Sequence, residues 1–141
     1  MSETANLSAS VAPWLFVRDS IRAVEFYQTA FGASEKYRLE ERGGVVARLA
    51  IGSSEFWVGD ESPEQNNFSP DSLSGSTLRM ILTVADPDAA FAQACQAGAL
   101  VVHPIAEGHG WCLGEWSILS AITGKLAARS LPESRIAMEQ I

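Results

Sequence analysis

Chemistry at a protein site needs lone pairs, nucleophiles or fixed charges, and this chain is sparing with them. It carries two histidines, His103 and His109, and two cysteines, Cys95 and Cys112. His103 precedes Pro104 at the end of an apolar run, and His109 lies between two glycines. A metal site from these with Glu107 or Glu115 is conceivable, but the first reading is two loop histidines in water. Three residues of separation between His109 and Cys112 in a strand or loop do not place the imidazole on the sulfur. No CxxC, Gly-rich phosphate loop or GxSxG motif is present. What remains is fixed charge and aromatic surface. Arg48 and Arg79 interrupt apolar runs. A charge in mid-strand is costly unless it is paired or faces a wet cavity. Arg79 therefore either pairs with an acid such as Glu55 or Glu115 or faces a ligand. The four tryptophans, Trp14, Trp57, Trp111 and Trp116, are the other resource.

The elements that must position these residues begin with Trp14 to Ala33. Trp14-Leu15-Phe16-Val17 is strand-like, aromatic and β-branched. Asp19 or Ser20 can cap a helix. Ile21, Val24, Tyr27 with Phe26, and Phe31 then recur at helical spacing, and Gly32 is a stop. The pattern returns once. Met80 to Val84 is a strand, Asp86-Pro87 opens a helix, Ala89 to Ala97 continues it and Gly98 ends it. Val17 and Asp19 keep the same offset from Val84 and Asp86 as Val24 keeps from Phe91, so the chain reads as an internal repeat.

The first repeat continues as Ala33–Leu39, a polar turn at Glu40 to Gly44, then Val45–Ile51 and Glu55–Gly59, all strand-like. The module runs over 12–60. A Ser-, Pro- and Asn-rich linker without periodicity covers 61–76. The second module covers 77–130, with strand candidates at Leu100–His103, Leu113–Leu119 and Lys125–Ser130. Residues 1–11 read as a flexible tail, and 131–141 as a tail with a short helix after Pro132.

The chain has 141 residues, 47% hydrophobic and 19% charged, which suits one compact soluble domain or two small modules sharing a core. The net charge of −7 argues against nucleic acid and anionic membrane as partners. The polar N-terminus has no signal-peptide pattern, and no apolar run reaches the ~20 residues of a membrane span, so a cytoplasmic location is expected. Cys95 falls on the second helix and reads as a small hydrophobe.

The two phrases LFVRDSIRAVEFYQTAFGA and LTVADPDAAFAQACQAGA, each strand–VxD–helix, resemble the vicinal oxygen chelate superfamily. This is the glyoxalase, bleomycin-resistance and extradiol-dioxygenase group, and the likeness is to its small two-module branch. The resemblance spans residues 12–130. It implies an α+β fold: two βαβββ modules forming curled half-open mixed sheets around a cleft. It also implies homodimers. Family enzymes hold one divalent metal with His, Gln or Glu from the first and last strand of each module. The matching positions here are Ala12, about Trp57, Arg79 and about Ala128. Two methyl groups, an indole and a cation make no metal site, so no metal, no cofactor and no catalytic residue is expected. The family's Asp-Pro-x-Gly turn before the last strand is Ala121-Ile122-Thr123-Gly124 here, keeping only the glycine.

Strand alternation puts Ala12, Trp14 and Phe16 on the concave face and Leu15 and Val17 toward the helix. Val45, Ala47, Leu49 and Ile51 take the helix side, leaving Arg48 concave. The expected ligand-binding set is Trp14, Phe16, Arg48, Trp57, Arg79, Trp111 and Trp116. Such a surface suits planar or cationic organic ligands, and an arginine could also clamp a carboxylate or phosphate. The reading is a metal-free small-molecule binding protein, similar to bleomycin-resistance proteins, that sequesters an aromatic ligand in a Trp-rich cleft. The alternative is a metal-dependent glyoxalase- or dioxygenase-type enzyme with an atypical site.

Overall fold

The computed structural model describes residues 8–75, 79–108, 111–118, 124–130 and 135–140; the side chains of Arg79, Ile81 and residues 100–141 lie outside the description. Strand β1 (Trp14–Val17) leads into helix α1 (Ser20–Phe31), and β2 (Ser34–Glu41), β3 (Gly44–Ile51) and β4 (Ser54–Asp60) follow. A 3-10 turn (Pro63–Gln65) and a short helix α2 (Pro70–Leu73) connect to β5 (Arg79–Val84) and helix α3 (Pro87–Gln96). Strands β6 (Leu100–Gly108), β7 (Trp111–Ile118), β8 (Gly124–Ser130) and β9 (Arg135–Gln140) complete the order.

Local chemistry explains the first module. Asp19 caps α1, its carboxylate accepting from Arg22 N at 3.1 Å, and Gly32 ends the helix at φ 66°. Ala23, Val24, Phe26, Tyr27 and Ala30 face inward. Ile21, expected in that stripe, is exposed, because the buried line runs one position earlier through Ser20. The Ser20 hydroxyl accepts from Val45 N at 2.8 Å, and Ser20 N donates to Asp60 Oδ1 at 2.9 Å. This ties the start of α1 to the start of β3 and the end of β4. A side chain at Gly44 would overlap the Asp60 carboxylate, so the knot requires glycine there. The β2–β3 turn is Arg42-Gly43, with φ of 52° and 81° at its two residues, the positive pair that matches strand twist.

The first sheet has order β1-β4-β3-β2, with β1 and β4 parallel and the other pairs antiparallel. Leu15, Val17, Val45, Ala47, Leu49, Phe56 and Val58 pack against α1, as strand alternation requires. The second sheet has order β5-β9-β8-β7-β6 and is antiparallel throughout. Where a short helix after Pro132 was expected, Arg135–Gln140 is a strand between β5 and β8. It occupies the seam that the parallel β1·β4 pair closes in the first module. The two modules meet through their helices. Ala94 and Ala99 belong to the core cluster of the first module, and Gln93 Nε2 donates to Thr29 O at 2.8 Å. Cys95 packs part-buried against the same core.

The 61–76 segment, expected as an unstructured linker, is ordered over 61–75. Ser62 and Asn67 form a bridge, and Ser69 caps α2. Arg18 on the β1–α1 turn pairs with Asp71 at 2.9 Å and with Glu61 at 3.6 Å. The segment is a strap bound back across the end of β1.

Candidate functional site

The concave face of the first sheet carries one row of side chains that crosses all four strands. Trp14 on β1 is in register with Trp57 on β4, Trp57 with Arg48 on β3, and Arg48 with Tyr37 on β2. The two indoles stack with centroids 5.6 Å apart and planes 10° apart. The Arg48 guanidinium lies 5.7 Å from the centre of the Trp57 ring, within cation–π range. Tyr37 meets Trp57 edge-on at 5.8 Å. Trp14 and Tyr37 remain 45% and 46% exposed, so the row is a presented surface and not a filled core.

One step along the strands, Phe16 pairs with Gly59 and Leu39 with Val46. Phe16 stacks on Trp14 at 5.8 Å. Gly59 leaves a gap in this second row, and the Trp14 indole leans across it. Beyond lies a cavity of about 550 Å³ bounded by Trp14, Phe16 and Val46 below, by the β2–β3 turn, and by the strap from Glu61 to Asn67.

Charge in the row is partly balanced. Arg48 Nε lies 3.6 Å from Glu55 Oε1, an ion pair too long for a hydrogen bond. Arg48 Nε is buried and has no hydrogen-bond partner among the described residues. Glu55, one of the acids named as a possible partner of Arg79, is thus engaged by Arg48. On the strap, burial alone would push the Glu61 carboxyl up. Hydrogen bonds from Ser69 N and Ser72 Oγ, together with Arg18, outweigh it and hold the carboxyl below its ordinary range.

Of the residues expected from the sequence, the structure brings Trp14, Phe16, Arg48 and Trp57 together on one face. Arg79 opens β5 and Trp111 and Trp116 lie on β7, but their side chains are outside the described residues. Sequence reasoning missed Tyr37 and the strap residues. The alternation of β2 is interrupted by an irregularity between Glu35 and Tyr37, which hides the phase of Tyr37.

The sequence resemblance aligns two positions of the first module with ligands of a divalent metal. These are Ala12 and about Trp57, a methyl group and an indole, and neither has a lone pair to offer a divalent ion. Among the described residues no group of three His, Cys, Asp or Glu side chains is placed to hold one.

No family model matches the chain. An uncharacterized protein of Mycobacterium tuberculosis is 32% identical over 129 residues, covering 78% of this chain and 76% of that protein. A solved Arabidopsis thaliana gene product is 27% identical, with TM-score 0.57 over 83% of this chain and 94% of its own. A glyoxalase/bleomycin resistance protein/dioxygenase family enzyme of Burkholderia phytofirmans shares the fold, at 18% identity and TM-score 0.58 over 83% of this chain and 96% of its own. The fosfomycin resistance protein FosX of Listeria monocytogenes does so at 15% identity and TM-score 0.59, over 84% and 88%. With its curled four-stranded sheet, the chain has the fold of these glyoxalase/bleomycin resistance/dioxygenase and FosX structures, the fold that its paired strand–VxD–helix phrases imply.

Proposed function

We propose that the protein binds a small planar organic molecule on the Trp14–Trp57–Arg48–Tyr37 row and sequesters it without a metal and without reacting it. In this it would resemble the bleomycin-resistance side of the superfamily and not its metal enzymes. The observation that carries the reading is the row itself: three aromatic rings and a guanidinium in one register, exposed at both ends and opening onto a cavity. Aromatic stacking and cation–π contacts contribute roughly 1–2 kcal/mol each when desolvated. Trp57→Ala is expected to weaken binding of a planar aromatic probe about tenfold and to leave the melting temperature within a few degrees. Tryptophan fluorescence titration reads the first quantity and a thermal melt the second. A screen of planar aromatics that quenches no tryptophan fluorescence sinks the reading.

A homodimer is part of the same proposal. One curled sheet covers only one side of a ligand, and a second copy supplies cover for the exposed Trp14, Tyr37 and Leu39. Light scattering at micromolar concentration should give twice the monomer mass; the monomer mass alone counts against it.

A further inference from the structure

On the helix side of the first sheet, opposite the aromatic row, lies a second cavity of about 320 Å³. Strand alternation separates the two. Leu15 and Phe56 line this cavity, whereas their chain neighbours Trp14 and Trp57 stand on the concave face. One wall comes from the first module, with Leu15, Phe56 and, from the end of α1, Phe31. The other comes from β5, where Met80, Leu82 and Val84 share one face. The space is left because the two sheets do not join. β1 pairs with β4 and β5 with β9, each at the edge of its own sheet, and no ladder links β1 to β5 among the described residues. Contact between the modules runs through α1 and α3 instead. Ser54 and Thr83, both exposed, bring hydroxyls to the mouth of the cavity, and among the described residues no charged side chain lines it.

We propose that this cavity between the modules binds a small neutral aliphatic molecule, ring or short chain, with at most a hydroxyl group. Protein interiors pack to the density of organic crystals, and apolar space left unfilled costs stability in proportion to its volume. Met80 and Leu82 pack against the main core yet are only part-buried, so each keeps apolar surface toward the opening. A neutral aliphatic guest buries that surface on both modules at once. Pockets that hold small molecules begin at about 300 Å³, so the guest is small. A cation or an anion would give up its water and find no counter-charge in the lining. A single hydroxyl is tolerated, because Ser54 and Thr83 can each donate to it or accept from it at the mouth. The site is independent of the aromatic row, which faces the other way.

The test presents one saturated ring, which cannot stack on the indoles, in a neutral and a charged form. Cyclohexanol and cyclohexylammonium are titrated against the full chain carrying isotope-labelled methionine methyl groups, and the Met80 resonance is identified by its loss in Met80→Leu. Cyclohexanol should shift the Met80 methyl saturably in the millimolar range, the range open to so small a ligand. The ammonium should bind about tenfold more weakly or not at all. Leu82→Phe adds volume inside the cavity, so it should weaken cyclohexanol about tenfold while leaving tryptophan quenching by planar aromatic probes unchanged. Absence of a saturable shift up to the solubility limit overturns the proposal. So does equal binding of the ammonium, or undiminished cyclohexanol binding in Leu82→Phe. Should Leu82→Phe fold poorly, the comparison of the two charge forms on the unsubstituted chain decides. Failure of the planar aromatics to bind the concave row leaves this result untouched, so the two readings stand or fall separately.

Discussion

At Gly59 the missing side chain is what the neighbouring indole rests on. A Cβ there would approach Trp14 Nε1 to 3.3 Å and Cζ2 to 3.4 Å, closer than such atoms normally sit. The ring would have to lift by a few tenths of an ångström, and with it the stacking on Trp57 and Phe16. Gly59→Ala is therefore expected to cost about 1 kcal/mol, at the low end for overpacking because Trp14 is half exposed and can tilt. Near-UV circular dichroism should change, and probe affinity should drop more than stability does. Unaltered indole spectra would show that Gly59 does not set the ring's position. Arg48 is the complementary case. Its Nε lacks a hydrogen-bond partner among the described residues, yet the head is half exposed and lies over Trp57, so it is held at a wet surface and not stranded in a core.

Among the elements, the strap from Glu61 to Ser74 depends on one carboxylate and one guanidinium. Glu61 accepts from Ser69 N at 2.9 Å and from Ser72 Oγ at 3.0 Å, and Arg18 bridges to Asp71. A carboxyl held below its ordinary range stabilises the fold above the unfolded-state value, and that contribution is lost as pH falls through the depressed one. Glu61→Gln should thus lower the melting temperature at neutral pH, and the difference from the parent should shrink as the buffer is taken below the usual carboxylate range. A difference that is constant with pH would assign the loss to packing instead of charge. Much of the surrounding architecture was legible in the sequence. Alternation put Trp14, Phe16 and Arg48 on one face and Leu15, Val17, Ala47 and Leu49 on the other, and the alignment with the resembled family added Trp57 to the first set. The strap was not legible because its turns are made by caps and a single bridge, which leave no periodic trace. Nor was β9: Pro132 and the Glu/Gln-containing end favour a helix locally, and pairing with both β5 and β8 overrides that preference.

On the scale of the whole molecule, a superfamily metal would need ligands from both modules at once. At the positions the resemblance assigns in the first module stand the methyl group of Ala12 and, at about Trp57, an indole. Purified protein is therefore expected to hold no stoichiometric zinc, nickel, iron or manganese, and a chelator should leave its melting temperature unchanged. Elemental analysis finding about one metal per chain would overturn this. The described helices include none long and apolar enough to cross a membrane. Between the modules, the α1–α3 contact is apolar, with the Gln93–Thr29 hydrogen bond at its margin.

The two sheets close at very different moments of synthesis. Every strand of the first is present once Asp60 has left the ribosome, so that module can fold while the rest of the chain is still being made. The second sheet has no such freedom. β5 pairs with β9 alone, so its ladder groups wait without a strand until Gln140 emerges, long after β5 itself. During that interval β5 is an open edge beside a finished module, and its exposure to mispairing grows with the time taken to translate the last stretch. Slowing synthesis after β8 should therefore lower the soluble yield of the full chain, whereas slowing it within the first module should not.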